Sequence, residues 1–411
     1  MVTLEDVQRA AACLKGVVRH SDLIHSTGFS RMSGAEVYLK TENLQRTGSF
    51  KLRGAYNMIL NLPEARRRAG VVAASAGNHA QGVALAASML GTKSLVVMPE
   101  TASLAKVVAT RGYGAEVILQ GANYDAAQEY AKVLQKERGL TYVPAFEDPY
   151  VIAGQGTIGL EILQDLPDVE IIVVPVGGGG LISGVAVAAK SLRPSVKVVG
   201  VESSGAASVL RSLSAGRPEK LDQMTTIADG IAVKKPGQMT FEIIQKYVDE
   251  VVTVEDEEIC QTIVLLLERA KLVVEGAGAA ALTAVLWRKV PAENRRVAAV
   301  LSGGNIDMNL LARIIQHGLT FAGRYLVLRT RLEDRPGQLV RFLRLLAEEG
   351  VNVLDVEHHR AGMLLPIGQA EVQLTLETRD LTHCAEVVDF LRVAGYETEQ
   401  QAGPALPEPG S

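Results

Sequence analysis

Ile171-Ile172-Val173-Val174-Pro175-Val176-Gly177-Gly178-Gly179-Gly180-Leu181 decides the fold. The apolar run 171–176 has strand length, and a small-residue helix is expected over 181–191. Glycines between a strand and a helix let several backbone N–H groups converge on an anion, and the helix N-terminus favours a phosphate. The alternative is a tight strand-to-helix turn, which rarely needs four glycines. The run lacks the Gly-Lys-Ser/Thr ending of a nucleoside-triphosphate loop and the G-x-G-x-x-G spacing with a distal acid. A small phosphorylated cofactor is therefore a better candidate than ATP or NAD.

Outward from this stretch the same alternation repeats. Lys197–Val201 is the next strand expected. Upstream, strands are expected at 36–40, 71–74, 94–99 and 116–119, and helices at 1–20, from Lys51 to before Pro63, and over 79–90, 103–111 and 124–138. Strand and helix in alternation imply βαβ units and parallel sheets, here in two α/β lobes with a cleft between them. Residues 211–240 read as irregular, 256–272 as one long helix, and Val297–Leu301 as a core strand ending at Ser302. Beyond Gly323 the character changes to alternating strands and amphipathic helices in the order βαββα, a small ferredoxin-like α+β module. Ala402–Ser411 reads as a frayed tail.

Composition narrows the class. The chain of 411 residues is 47% hydrophobic and 21% charged, as in ordinary globular proteins. A net charge of −4 argues against a nucleic-acid partner, and no apolar run is long enough to span a bilayer. The start, Met1-Val2-Thr3-Leu4-Glu5-Asp6, lacks the pattern of a signal peptide. Cys13, Cys260 and Cys384 have no metal spacing, so reduced thiols in a cytoplasmic protein without a bound metal are expected.

Three further stretches carry candidate chemistry. Ser75-Ala76-Gly77-Asn78 lies between strand and helix, where its amides suit a carboxylate or simply cap the helix. Ser302-Gly303-Gly304-Asn305 closes a strand, where α/β sheets place ligand contacts; the alternative is an ordinary turn. Lys51, in Thr47-Gly48-Ser49-Phe50-Lys51-Leu52-Arg53-Gly54-Ala55, reads alone as a surface lysine. His79 reads as a structural residue rather than a base, Glu275 as a helix cap or an ion-pair partner, and His358 and His359 as exposed.

Taken together with Glu42-Asn43-Leu44-Gln45 and Ala228-Asp229-Gly230, these stretches resemble fold type II of the pyridoxal phosphate enzymes. Within it they are similar to the threonine and serine dehydratases. Asp334-Arg335-Pro336-Gly337-Gln338-Leu339 resembles an ACT regulatory domain. The combination is similar to the biosynthetic-type threonine ammonia-lyase family. The resemblance implies an α/β, two-lobed, tryptophan synthase β-like core over 1–320, with a small lobe at roughly 50–150, an ACT-like α+β domain over 321–400, and a flexible tail over 401–411.

The resemblance also implies roles. Lys51 is the Schiff-base residue and Phe50 packs near the cofactor ring. Asn78 bonds the ring's phenolic oxygen, Gly177, Gly178, Gly179, Gly180 and Leu181 bind the phosphate, and Ser302 faces the pyridine nitrogen. Ser75, Gly77 and Asn78 hold the substrate carboxylate. A serine opposite the ring nitrogen does not keep it protonated, so a carbanion is short-lived and loss of a β-hydroxyl is favoured. Racemases of this group carry a second serine where this chain has Ala76. Some relatives bind a cation near Glu202, but Ser208 stands where the Asp is expected. The implied reaction is deaminating dehydration of L-threonine to 2-oxobutanoate and ammonia, the first step towards isoleucine. L-serine dehydration, a racemase-like activity and a non-catalytic amino-acid sensor are the alternatives. An isoleucine or valine effector is implied at Asp334, Gly337 and Asn352, and a homodimer or homotetramer is expected.

Overall fold

Val71–Ala74, Ser94–Met98 and Ile171–Pro175 are buried at every position, as strands of a parallel sheet covered on both faces must be. The computed structural model describes residues 1–360 and 366–402. Its chain divides into two compact units, Met1–Asp307 and Met308–Ser411.

The first unit begins with β1 (Leu23–His25), β2 (Glu36–Lys40), β3 (Val71–Ala74), β4 (Ser94–Met98) and β5 (Glu116–Leu119). It continues through β6 (Thr141–Tyr142), β7 (Ile171–Pro175), β8 (Lys197–Ser203), β9 (Glu250–Val254) and β10 (Arg296–Val300). One sheet has the order β1-β2-β10-β7-β8-β9, parallel except for β1 at its edge. A smaller parallel sheet has the order β5-β4-β3-β6 and is built from chain lying between β2 and β7. Ile172, Val174, Ile182, Val185, Ala298 and Val300 share the core of the larger lobe, while Leu52, Ile59, Val71, Ala73 and Val83 share one in the smaller.

Several elements depart from expectation. Residues 149–165 carry no expected helix, yet Pro149–Asp165 is helical: Asp148 accepts the amides of Tyr150 (2.8 Å) and Val151 (3.0 Å), and Pro149 pre-sets the first turn. Residues 211–240 contain a helix at Ser208–Ala215, and another starts at Gln238. The long helix expected over 256–272 is α-helical to Leu265 and then widens into a π turn, Leu266–Ala270, ending at Lys271 with φ 59°.

The second unit opens with the helix Met308–Phe321, whereas the boundary read from the sequence falls after it. It continues as β11 (Tyr325–Glu333), the helix Gln338–Glu348, β12 (Asn352–His359), β13 (Gln369–Glu377), the helix Leu381–Val393 and β14 (Thr398–Ala402). The antiparallel order is β12-β13-β11-β14, over a core that includes Leu326, Leu328, Phe342, Leu346, Leu374 and Leu391. β14 extends the expected βαββα order to βαββαβ; its sequence, Thr-Glu-Gln-Gln-Ala, has no apolar alternation to announce it. The expected tail beyond Ala402 lies outside the described residues. No described helix is long and apolar enough to cross a membrane.

Candidate active site

β2, β10 and β7 are neighbours in the larger sheet, and the chain beyond their C-terminal ends carries Lys51, Ser302 and Gly177 respectively. The loop after β3 carries Ser75–Asn78. Parallel sheets collect ligand-binding loops at this edge.

The lysine and serine stretches are joined by backbone. Phe50 N–H donates to the Ser302 carbonyl (3.2 Å), Gly304 N–H donates to the Gly48 carbonyl (2.8 Å), and Ser49 bridges Gly303. Lys51 is the first residue of the helix Lys51–Leu60. Its Nζ donates to the Ala145 carbonyl at 3.1 Å and lies 5.0 Å from the Phe50 ring centroid. Burial pushes its pKa down to about 8, against the pull of Glu275. The positive end of the helix dipole acts in the same direction as burial. An amine so placed is partly neutral near pH 7 and able to bond a carbonyl carbon. Ser302 is buried, with only a long 3.5 Å contact from its Oγ to the Ala277 carbonyl.

The glycine run lies one residue along from that lysine contact. A Cβ on Gly178 would sit 2.3 Å from the Phe146 ring, and one on Gly180 would sit 2.8 Å from the same side chain. Gly179 has φ 92° and precedes the helix Gly180–Leu192, which no side chain caps. Gly180 and Leu181 are buried, so the first amides of that helix are donors awaiting an acceptor. A phosphate fits this donor set, and a phosphorylated aldehyde fits it together with Lys51.

Asn78 starts the helix Asn78–Met89. Its Nδ2 donates to Glu275 Oε1 (2.6 Å), and its Oδ1 accepts from Asn305 Nδ2 (2.7 Å). Burial, and then the Asp229 carboxylate, raise the Glu275 pKa to about 7. Ser75 Oγ accepts the Gly77 amide at 3.1 Å, and a Cβ at Gly77 would meet nothing within 4 Å, so the space beside its Cα is open. His79 pairs through Nε2 with the Val143 carbonyl (2.9 Å); burial and then the Lys51 charge push its pKa down to about 3, which keeps it neutral and structural.

Glu202, at the end of β8, accepts the amides of Val209 and Leu210, both at 2.8 Å, and so caps the helix Ser208–Ala215. Burial raises its pKa to about 7. Among the described residues no group of three or more His, Cys, Asp or Glu is placed to hold a metal. In the second unit Asp334 and Gly337 share the loop before the helix Gln338–Glu348. Asp334 pairs with Arg360 (3.1 Å), while Asn352 starts β12 and donates to Glu377 (2.9 Å).

Sequence reasoning passed over two groups. Ala145 and Phe146 link the lysine to the glycine run, and no motif marks them. Arg53, two positions past Lys51, is fully buried: its Nη2 meets Glu42 at 2.7 Å and its Nη1 meets Glu161 at 2.6 Å. Lys40, also fully buried, meets Glu161 at 2.8 Å. Burial alone would lower the Arg53 pKa, but Glu42 and Glu161 hold it above its ordinary value.

Residues 14–303 match the family described as pyridoxal-phosphate dependent enzyme, and residues 326–364 match the ACT domain. The L-threonine ammonia-lyase of Thermotoga maritima is 54% identical over 397 residues, covering 97% of this chain and 99% of its own. The processed form of threonine deaminase isoform 2 from Solanum lycopersicum is 40% identical with a TM-score of 0.73, covering 76% of this chain and 87% of that one. Maize serine racemase is 34% identical with a TM-score of 0.73, covering 77% and 98%. With a buried, uncapped helix start and a lysine beyond the strand ends of the larger sheet, and an asparagine loop beyond β3 of the smaller one, the chain belongs to the pyridoxal-phosphate dependent enzymes and carries an ACT domain C-terminal to that core in sequence.

Proposed function

We propose that this chain converts L-threonine to 2-oxobutanoate and ammonia. The observation that carries the reading is Lys51: a part-buried amine with a pKa of about 8, beyond the same sheet edge as Ser302 and the glycine run, with Asn78 of the smaller lobe bonded to Asn305 just past Ser302. When bound, pyridoxal phosphate supplies an electron sink for bonds broken at the substrate's α-carbon. Lys51 would hold the cofactor, and its amine, when free, would take the proton from the substrate's α-carbon. The amides of Gly177, Gly178, Gly179, Gly180 and Leu181 would hold the phosphate, and Phe50 would pack against the ring. Asn78 would bond the ring oxygen, and Ser302 would offer the ring nitrogen a neutral hydroxyl. Ser75, Gly77 and Asn78 receive the substrate carboxylate, for which the open space beside the Gly77 Cα leaves room.

Ala76 packs against the cluster of Val96, Met98 and Val107, so the asparagine loop presents no acid of its own to the far face of the α-carbon. That favours elimination over racemisation. The second unit is the seat of regulation: isoleucine or valine binds at Asp334, Gly337 and Asn352 between paired copies of this chain, as a dimer or tetramer.

Assays of 2-oxobutanoate from L-threonine, pyruvate from L-serine, and D-serine from L-serine test the reading on one preparation. Fastest formation of 2-oxobutanoate is expected. Dominant D-serine would overturn it in favour of racemisation, and a protein with no visible cofactor band would overturn catalysis altogether. Threonine kinetics with and without isoleucine or valine, repeated on Asp334→Ala, test the effector; an allosteric shift of about 5- to 150-fold in apparent affinity is expected, and identical curves would remove it.

A further inference from the structure

We propose that Asn305 and Glu275 are positioning residues that lock the side-chain amide of Asn78 in one of its two orientations. The inference rests on the reading of Asn78 as the partner of the cofactor's ring oxygen. An asparagine amide is nearly symmetric in shape, so only its partners decide which end is the donor. Here the decision starts at a group without ambiguity. The Thr47 carbonyl can only accept, and Asn305 Nδ2 lies 2.7 Å from it. The same Nδ2 lies 2.7 Å from Asn78, so the atom it meets there must be Oδ1. Asn78 Nδ2 is then turned to Glu275 Oε1 at 2.6 Å, leaving its second hydrogen for another acceptor. The flipped amide would set Nδ2 against Nδ2 and Oδ1 against a carboxyl oxygen, stranding part-buried polar groups.

Two motif glycines are explained by this clamp rather than by phosphate binding. A Cβ on Gly48, whose φ is 70°, would lie 2.4 Å from Asn305 Oδ1. A Cβ on Gly303 would lie 2.3 Å from Glu275 Oε1 and 3.0 Å from Asn78 Nδ2. Glu275 is itself fixed, its N–H donating to the Gly303 carbonyl at 3.1 Å. Asn78 belongs to the small lobe, whereas Asn305 and Glu275 follow or adjoin strands of the large one. The hydrogen left free on Asn78 Nδ2 is thus set by groups on two other segments of the chain.

The test uses the full-length protein with its cofactor, reading the position of the visible absorbance band per bound cofactor and the affinity for pyridoxal phosphate. Asn305→Asp is nearly isosteric but turns the donor facing Thr47 and Asn78 into acceptors. It is expected to shift the band and weaken cofactor binding on the order of tenfold or more. Glu275→Gln keeps an acceptor for Asn78 and is expected to retain the wild-type band, while Glu275→Ala loses it. Melting curves on every variant, with Asn305→Ser as a second replacement if Asn305→Asp does not fold, separate this from collapse of the fold. An unchanged band and affinity in folded Asn305→Asp or Asn305→Ser, or Glu275→Gln behaving as Glu275→Ala, would overturn the clamp. Asn78→Ala with an unchanged band would instead overturn the underlying role of Asn78.

Discussion

Lys51 and Arg53 are two cationic residues two positions apart on one helix, and they have opposite fates. Arg53 is enclosed by Glu42 and Glu161, each within 2.7 Å, and its charge is held firmly. Lys51 is offered only the Ala145 carbonyl as a hydrogen-bond partner and loses part of its charge at neutral pH. The difference between a structural cation and a reactive amine is the placement of carboxylates. Burial is common to both; pairing is not. Glu275 is the acid whose charge acts on Lys51, and burial keeps much of it protonated near pH 7.

This contrast makes separable predictions. Lys51→Ala should lower threonine turnover by on the order of a thousandfold or more while leaving the melting temperature near that of wild type, measured by 2-oxobutanoate formation and thermal melts. Arg53→Met should do the reverse: a loss of about 3–5 kcal/mol in the stability of the first unit, because Glu42 is left buried without its partner. The double variant Arg53→Met with Glu42→Gln should be less destabilised than the sum of the single changes, read by denaturant titration.

A smaller effect concerns Glu202. Its carboxyl holds a proton in the folded protein up to about pH 7, whereas the unfolded group releases it near 4.5. The folded state therefore binds more protons in this window, and stability falls as pH rises through it. Glu202→Gln should flatten that slope in melts taken from pH 5 to pH 7. Smallest of all, Arg68→Ala removes an exposed pair with Glu64 and should change stability by less than about 1 kcal/mol.

The sequence made the fold's periodic parts legible. β3 falls where its apolar run places it, because a strand buried on both faces must be apolar at every position, and β2 and β5 also fall where expected although both are partly exposed. The helix Pro149–Asp165 was also written there, in Asp148 and Pro149, although its apolar positions give no clear stripe. β14 was not legible, since an edge strand paired only with β11 needs no apolar pattern. In the site, Lys51, Asn78 and the glycine run were legible as motif members. What makes Lys51 reactive was not, because burial by Phe50 and the 145–146 segment is a property of the folded chain. Arg53 meets an acid more than a hundred positions away, and Glu275 gains its meaning only from Asn78 and Gly303. Contacts of that range leave no local spacing to read.

The central claim is that Lys51 is an amine kept reactive by burial without a carboxylate partner. Its most direct test is the pH dependence with which the cofactor-free full chain captures pyridoxal phosphate, followed by growth of the visible band. Capture should rise with a midpoint near pH 8 and vanish in Lys51→Ala. A midpoint near 10.5, the value of an ordinary lysine, or a band that survives in Lys51→Ala, would contradict it.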